Sequence, residues 1–286
     1  MASPQYTLIT GASAGFGKAL ATECARRQLN LILVALPGED LPRFAESLRT
    51  QYGVSVCSIE QDLCREAGCS EVFGQVQAAG LEVNMLVNNA GIGSTALFGE
   101  KSTALYEQQI KLNVLATTRM THLFLDTLKR NRPSYVLNVG SLACFYALPH
   151  KQVYGATKSF VYYFSRSLCK ELKPDGVHVS VLCPGGLLTN REVTALIQAG
   201  NYLSRRSSMT PEQAAPVALD GLLAREKVIV PGRLNRCFLV LNALLPEFIK
   251  AIIMNGTMNR LAAGHRPARY VAEARAGANR APLATC

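Results

Sequence analysis

The chain has 286 residues, 49% of them hydrophobic, and a formal net charge of +10. That length suits one large α/β domain, and that hydrophobic content excludes a disordered chain. From Gly232 onward eight Lys or Arg stand against two Glu, so the excess charge is mostly a basic tail and does not indicate a nucleic-acid-binding domain.

Nine cysteines are scattered without a CxxC pair, which predicts neither a disulfide framework nor a metal site. The opening MASPQYTLITG runs straight into a strand with no signal peptide, so a reducing cytoplasm is the expected location. Residues 237–255 are apolar but interrupted by Asn242, Pro246, Glu247 and Lys250, so no membrane span is expected.

In chain order, residues 6–10 read as a strand, and Gly11-Ala12-Ser13-Ala14-Gly15-Phe16-Gly17 follows at once. A helix is predicted from 18 to 27. A strand, a glycine-rich turn and a helix start can cradle a pyrophosphate on backbone N–H groups. The spacing is GxxxGxG, and glycine lets the backbone approach phosphates without a Cβ in the way. Residues 31–35 are the second strand. Leu36 follows Ala35, so neither a carboxylate for a ribose hydroxyl nor a cation for a 2′-phosphate stands at the strand end. A helix over 41–51 and a strand over 54–60 come next. Asp62 then offers an acceptor to an adenine amino group, or a helix N-cap.

A helix over 66–79 leads to a strand over 83–87, closed by Asn88-Asn89-Ala90-Gly91. The asparagines can pin neighbouring backbone, and Ala-Gly leaves room for a flat ligand; turn chemistry alone would also account for them. A long helical region spans 103–129 with Asn113 inside it. Asparagine is a mediocre helix former. It marks either a simple hydrogen bond or a local break whose freed carbonyl can hold a water.

Residues 135–139 read as the fifth strand, and Ser141 lies just past its end. Tyr154 and Lys158 are four apart on the helix that continues to 172, hence on one face. A free phenol, with a pKa near ~10, is a poor acid at neutral pH. A nearby ammonium lowers that pKa and lets the phenol exchange a proton with a substrate oxygen, which Ser141 can also hold. Residues 177–182 are the sixth strand. In the following Cys183-Pro184-Gly185-Gly186-Leu187-Leu188-Thr189, Thr189 can bond a carboxamide. Residues 187–202 read as a lid. Thr210-Pro211-Glu212-Gln213 is a capping box opening a helix to 224, and 228–230 form a short seventh strand. Residues 234–261 read as two apolar helices broken at Pro246, packed beside the lid at the substrate mouth. Residues 264–286 read as disordered.

Strands alternating with helices predict a Rossmann-type, doubly wound parallel sheet of seven strands in the order 3-2-1-4-5-6-7, with helices on both faces. Residues 1–232 would form that domain and 233–263 a helical extension. The motifs TGASAGFG (10–17), Asp62, NNAG (88–91), Asn113, Ser141, YGATK (154–158) and PGGLLT (184–189) occur in one order at compatible spacing. In this the chain resembles the short-chain dehydrogenase/reductases of the single-domain type. The extension is similar to that of a subgroup acting on acyl or other lipid-like carbonyls.

The resemblance implies a role for each residue. Tyr154 exchanges the proton, and Lys158 lowers its pKa and binds the nicotinamide ribose. Ser141 polarises the carbonyl, and Asn113 holds a relay water. Gly11, Gly15 and Gly17, with Phe16, hold the pyrophosphate; Ser13 lies near the adenosine and Asp62 meets adenine. Asn89, Ala90 and Gly91 line the cofactor, and Pro184, Gly185 and Thr189 fix the nicotinamide end. The implied reaction is hydride transfer between NADP(H), with NAD(H) the alternative, and a hydrophobic carbonyl or alcohol. A homodimer or homotetramer is expected, and contact of the apolar extension with a membrane surface is compatible with the pattern. The rival reading, from another class, is a dinucleotide sensor without turnover; such proteins usually lack the Tyr or the Lys.

Overall fold

Successive side chains of a strand point to opposite faces, and here both directions are apolar. Leu8, Ile32 and Val34 enter one hydrophobic cluster, and Ile9, Leu31 and Leu33 enter another. Strands buried on both faces require helices on both faces. The computed structural model describes residues 4–189, 194, 195, 197 and 202–244, and shows that arrangement. The strands are β1 (Gln5–Thr10), β2 (Asn30–Ala35), β3 (Val56–Glu60), β4 (Glu82–Asn88), β5 (Ser134–Val139), β6 (Val177–Leu182) and β7 (Val228–Ile229). They form one parallel sheet in the order β3-β2-β1-β4-β5-β6-β7, as the alternation predicts.

The helices are α1 (Gly15–Arg26), α2 (Leu41–Tyr52), α3 (Gly68–Ala78), α4 (Thr103–Ile110), α5 (Thr117–Leu123), α6 (Leu125–Arg130), α7 (Gln152–Glu171), α8 (Tyr202–Ser207), α9 (Pro211–Leu223) and α10 (Arg233–Leu244). Leu20, Leu41, Leu48 and Leu219 of α1, α2 and α9 cover one face. Val72, Met120, Phe124 and Leu128 of α3, α5 and α6 cover the other. Each such side chain, fully buried, contributes about 1.5–3 kcal/mol relative to exposure. Arg27 ties α1 to α9, with Nη1 2.8 Å from Asp220 Oδ1.

Several boundaries differ from the sequence-based expectation, by two residues at the start of α3 (Gly68–Ala78 against 66–79) and more informatively at three places. Helix α1 starts at Gly15, inside the glycine turn, because Ala14 is extended and the chain coils directly after it. Strand β3 starts at Val56 rather than 54. The long helix over 103–129 is segmented: α4 passes into a π-helical turn over Lys111–Ala116, and α5 and α6 follow. Asn113 sits in that π turn, where the local break was expected. The capping box at α9 forms, with Thr210 Oγ1 accepting from Gln213 N at 3.3 Å and Gln213 Oε1 from Thr210 N at 3.1 Å. Most of the expected lid, the expected second helix after Pro246 and the expected disordered tail lie outside the described residues. Among the described residues no helix is long and apolar enough to cross a membrane.

Candidate active site

All the motifs converge on the carboxyl ends of the strands, where a doubly wound sheet leaves a crevice. β1 ends at Thr10, and the chain turns through Gly11, whose φ of +65° lies in the left-handed region. Gly17 is required for another reason. A Cβ there would lie 2.0 Å from Gly11 O and 2.5 Å from Asn89 Nδ2. Asn89 Nδ2 donates to Thr10 O at 2.9 Å and Gly11 O at 3.2 Å. Thr10 Oγ1 accepts from Asn89 N and Ala90 N, both at 3.0 Å. Asn89 therefore pins the turn, as expected. Asn88 instead bonds side chains, Thr121 Oγ1 at 2.9 Å and Asn138 Oδ1 at 2.8 Å.

The turn suits an anion. No side chain caps the first N–H groups of α1, and its first turn holds no acidic residue. Free N–H groups and the helix dipole then face any phosphate placed there. The Phe16 side chain lies in the core, 5% exposed, so only its backbone N–H can serve. Within the turn Ser13 Oγ donates to Glu39. Glu39 lies four residues past the end of β2. A carboxylate thus does reach this region, which Leu36 at the strand end did not suggest. Asp62 Oδ1 accepts from Cys64 N at 2.8 Å, closing a turn. It is not the N-cap of α3, which is Ala67.

The proton-handling residues meet beside β5. Lys158 is 6% exposed and its Nζ donates to Val139 O at 2.7 Å. Burial lowers its pKa to about 8. The Tyr154 ring packs on Gly93, where a Cβ would lie 3.0 Å from Tyr154 Cδ2. Lys158 Nζ lies 5.9 Å from the centre of that ring. Desolvation pushes the phenol above its ordinary value, with the Ser141 hydroxyl acting in the opposite direction. This corrects the expectation that Lys158 depresses the Tyr154 pKa here: the ammonium is aimed at Val139 O, and desolvation dominates. Ser141 Oγ also accepts from Ala143 N at 3.1 Å, which fixes the hydroxyl at the start of a 3₁₀ turn over Leu142–Phe145.

Asn113 uses its whole amide on protein partners. Oδ1 accepts from Ile92 N at 2.9 Å, and Nδ2 donates to Ile92 O at 2.9 Å and Thr157 Oγ1 at 3.0 Å. Gly91 is squeezed between Asn113 and Lys158, and a Cβ there would lie 3.0 Å from Asn113 Oδ1 and 3.3 Å from Lys158 Nζ. Thr189 folds back over the glycine turn, its Cβ 3.2 Å from where a Cβ of Gly15 would stand. Pro184 O accepts from Leu142 N at 2.9 Å, joining this loop to the turn that carries Ser141.

Five neighbours received no role in the sequence reading. Thr10 opens the TGASAGFG motif and could have been found from that. Thr157 was legible only as the residue before Lys158. Lys151 Nζ lies 5.5 Å from the Tyr154 ring centre, and burial lowers its pKa. Cys144 and Cys183 bring their sulfurs within 3.9 Å beside Ser141. No spacing pattern announces these last two.

The sequence and the fold are similar to those of known proteins. A family model, short chain dehydrogenase, fits residues 5–197. The chain is 32% identical over 189 residues to 17-beta-hydroxysteroid dehydrogenase type 3 of Mus musculus, covering 65% of this chain and 61% of that one. It is 30% identical over 186 residues to very-long-chain 3-oxoacyl-CoA reductase-B of Danio rerio, covering 63% and 58%. The matched region thus spans about three fifths of the length of these curated relatives. A short-chain dehydrogenase from Sphingobium yanoikuyae, solved in complex with NADPH, superposes with a TM-score of 0.71 at 29% identity, covering 93% of this chain and 98% of that one. With its glycine turn, NNAG, Ser-Tyr-Lys set and seven-stranded sheet, the chain belongs to the short chain dehydrogenase family.

Proposed function

We propose that the protein is an oxidoreductase that moves a hydride between a nicotinamide dinucleotide and a carbonyl or secondary alcohol, working mainly as a reductase of hydrophobic ketone or acyl-type substrates. The observation that carries this reading is the meeting of Tyr154, Ser141 and Lys158 at the same carboxyl end of the sheet as the uncapped, acid-free start of α1. When bound, the reduced dinucleotide supplies the hydride.

Tyr154 hands its proton to the substrate oxygen in reduction and takes it back in oxidation. Ser141 holds that oxygen. Lys158, held by Val139 O, binds the nicotinamide ribose. Asn113 holds the π turn and the loop after β4 in place, from which a relay water is anchored. Gly11, Gly15 and Gly17, with the Phe16 N–H, seat the pyrophosphate. Ser13 and Asp62 border the adenosine, and Asn89, Ala90 and Gly91 support the middle of the cofactor. Pro184, Gly185 and Thr189 hold the nicotinamide end.

NADP(H) is the proposed dinucleotide. The NADPH complex of the Sphingobium relative supports it, and so does the absence of an acidic residue at Leu36. Glu39 limits the preference, because a 2′-phosphate has to displace its carboxylate from Ser13. That contact is what favours the second reading, NAD(H). An apolar substrate is supported by the relatives' names and by Leu239 of α10, which packs with the cluster beside Leu142 and Phe145. In this reading residues 1–232 are the dehydrogenase domain, and the segment from 233 walls the pocket.

A homodimer, or a tetramer built from it, is also proposed. Ile110 of α4 and Phe160 and Tyr163 of α7 are exposed, and an apolar depression of about 440 Å³ is bounded by Ile110, Val114, Val153 and Ala156. A second copy would cover it. The eight described cysteines are free, which suits the reducing cytoplasm proposed as its location.

The test is a panel of carbonyls and alcohols with NADPH and with NADH, followed by absorbance. Oxidation of the dinucleotide with formation of an alcohol, at lowest KM for large apolar ketones, is expected. Tight dinucleotide binding without turnover on any carbonyl would overturn the reading in favour of a sensor.

A further inference from the structure

The loop over residues 184–189 joins two parts of the proposed site. Pro184 reaches the serine turn, and Thr189 lies over the glycine turn. Its middle pairs with the chain just before α9: Met209 N donates to Gly186 O and Leu188 N to Met209 O, both at 3.0 Å. Behind the loop stands Asn235, in the first turn of α10. It is a polar residue only 2% exposed. Its Nδ2 donates to Ser207 O at 3.0 Å and Pro231 O at 2.8 Å. Its Oδ1 is buried with no hydrogen-bond partner among the described residues. Burying an amide without full pairing costs free energy, so the position is not accounted for by folding stability alone.

The contact with the loop is tight. A Cβ on Gly185 would lie 2.8 Å from Asn235 Nδ2 and 3.0 Å from Oδ1. Gly232, at φ +91°, bends the chain so that Asn235 can turn inward; a Cβ there would lie 3.1 Å from Nδ2. Arg236 Nε donates to Val230 O at 2.9 Å and holds the same helix start against the sheet edge. Three segments distant in sequence, at 185, 207 and 231, therefore close on one side chain.

We propose that Asn235 is a positioning residue. Through Gly185 it sets the loop that seats the nicotinamide end, and so carries the placement of the C-terminal helix into the orientation of the cofactor ring. This rests on the dinucleotide reading above. It predicts that losing Asn235 affects the half of the cofactor that touches the loop and spares the half that touches the glycine turn.

The experiment measures equilibrium binding of NADPH, NADH and ADP-ribose, which lacks the nicotinamide, to the full-length wild type and Asn235→Ala, alongside thermal melts. NADPH and NADH should weaken about tenfold, the equivalent of one anchoring contact, with ADP-ribose held within about twofold. Equal weakening of all three, or none, would overturn the proposal even where the melting temperature falls, since a merely structural role moves all ligands together. A wild type that binds none of the three would instead overturn the dinucleotide reading itself. Asn235→Ser, which leaves a shorter donor, is read by the same criteria should Asn235→Ala not fold. A cycle with Gly185→Ala checks the contact: its effect on NADPH binding should be smaller in the Asn235→Ala background, where the new Cβ has room. Equal effects in both backgrounds would contradict the coupling.

Discussion

The glycine turn after β1 and the loop after β6 form opposite ends of one seat, yet they are built differently. The turn is fixed by two recognisable motifs: Gly17 cannot carry a Cβ against Gly11 O, and Asn89 of NNAG pins Thr10 and Gly11. The loop is fixed by remote elements, namely Leu142 on one side, Met209 on another and Asn235 behind. A constraint of the first kind serves any ligand with a pyrophosphate. One of the second kind can be retuned by distant substitutions, at the end where substrates differ.

Substitutions can break this contrast. The largest effect is expected between the two regions, at the proton donor. Tyr154→Phe keeps the ring packed on Gly93 but removes the proton, so kcat should fall about 10²–10⁴-fold. Dissociation constants for the dinucleotide, measured by fluorescence, should not change. Retention of more than about a tenth of kcat would remove Tyr154 from its role. Gly17→Ala attacks the locally fixed end. The forced shift of Gly11 should cost about 1–3 kcal/mol, weakening NADPH, NADH and ADP-ribose together by about 10–100-fold. That uniform loss is the opposite of the selective one expected at Asn235.

A pH series sharpens the middle of the site. Lys158, its pKa lowered to about 8, loses its charge as pH rises through that value. The kcat/KM for the dinucleotide, which reports the free enzyme, should therefore drop about tenfold per unit above it. Stability should move the other way. With the native value below the ordinary 10.5, the unfolded chain binds more protons between about 8 and 10.5, so this group makes the fold more stable as pH rises across that window. Melts of wild type against Lys158→Met would expose the difference, and parallel decline of activity and of the Lys158 stability term would refute the assignment. The smallest effect is expected at Glu39. Glu39→Gln should tighten NADPH by a factor of about three and leave NADH unchanged, because it removes a single exposed charge. A shift of equal size for both would show that Glu39 does not face the 2′ position.

How legible each part was follows from the same contrast. The strand order was readable because strands such as Leu31–Ala35 are continuously apolar and alternate with helices. The glycine turn, NNAG and Tyr154–Lys158 were readable because each is a contiguous motif. The Thr10 bond to Asn89 spans two strands but joins two recognisable motifs. Asn235, Glu39 and Lys151 stand in no motif, and only the tertiary fold brings them to Gly185, Ser13 and Tyr154. The direction of the Tyr154 shift was likewise hidden, because spacing shows that Lys158 is near but not that its ammonium turns to Val139 O. The start of α1 was misplaced by three residues because glycine reads as turn even where it coils.

The central claim is that the two ends of the seat together hold one face of the nicotinamide toward a carbonyl protonated by Tyr154. It is tested most directly by reducing a hydrophobic ketone with NADPH carrying deuterium on one known face of the nicotinamide, then with the label on the other face, and locating the deuterium by mass spectrometry. The account predicts that all of the label from one face, and none from the other, appears on the carbinol carbon. Transfer from both faces, or an alcohol formed with no label from either, would contradict it.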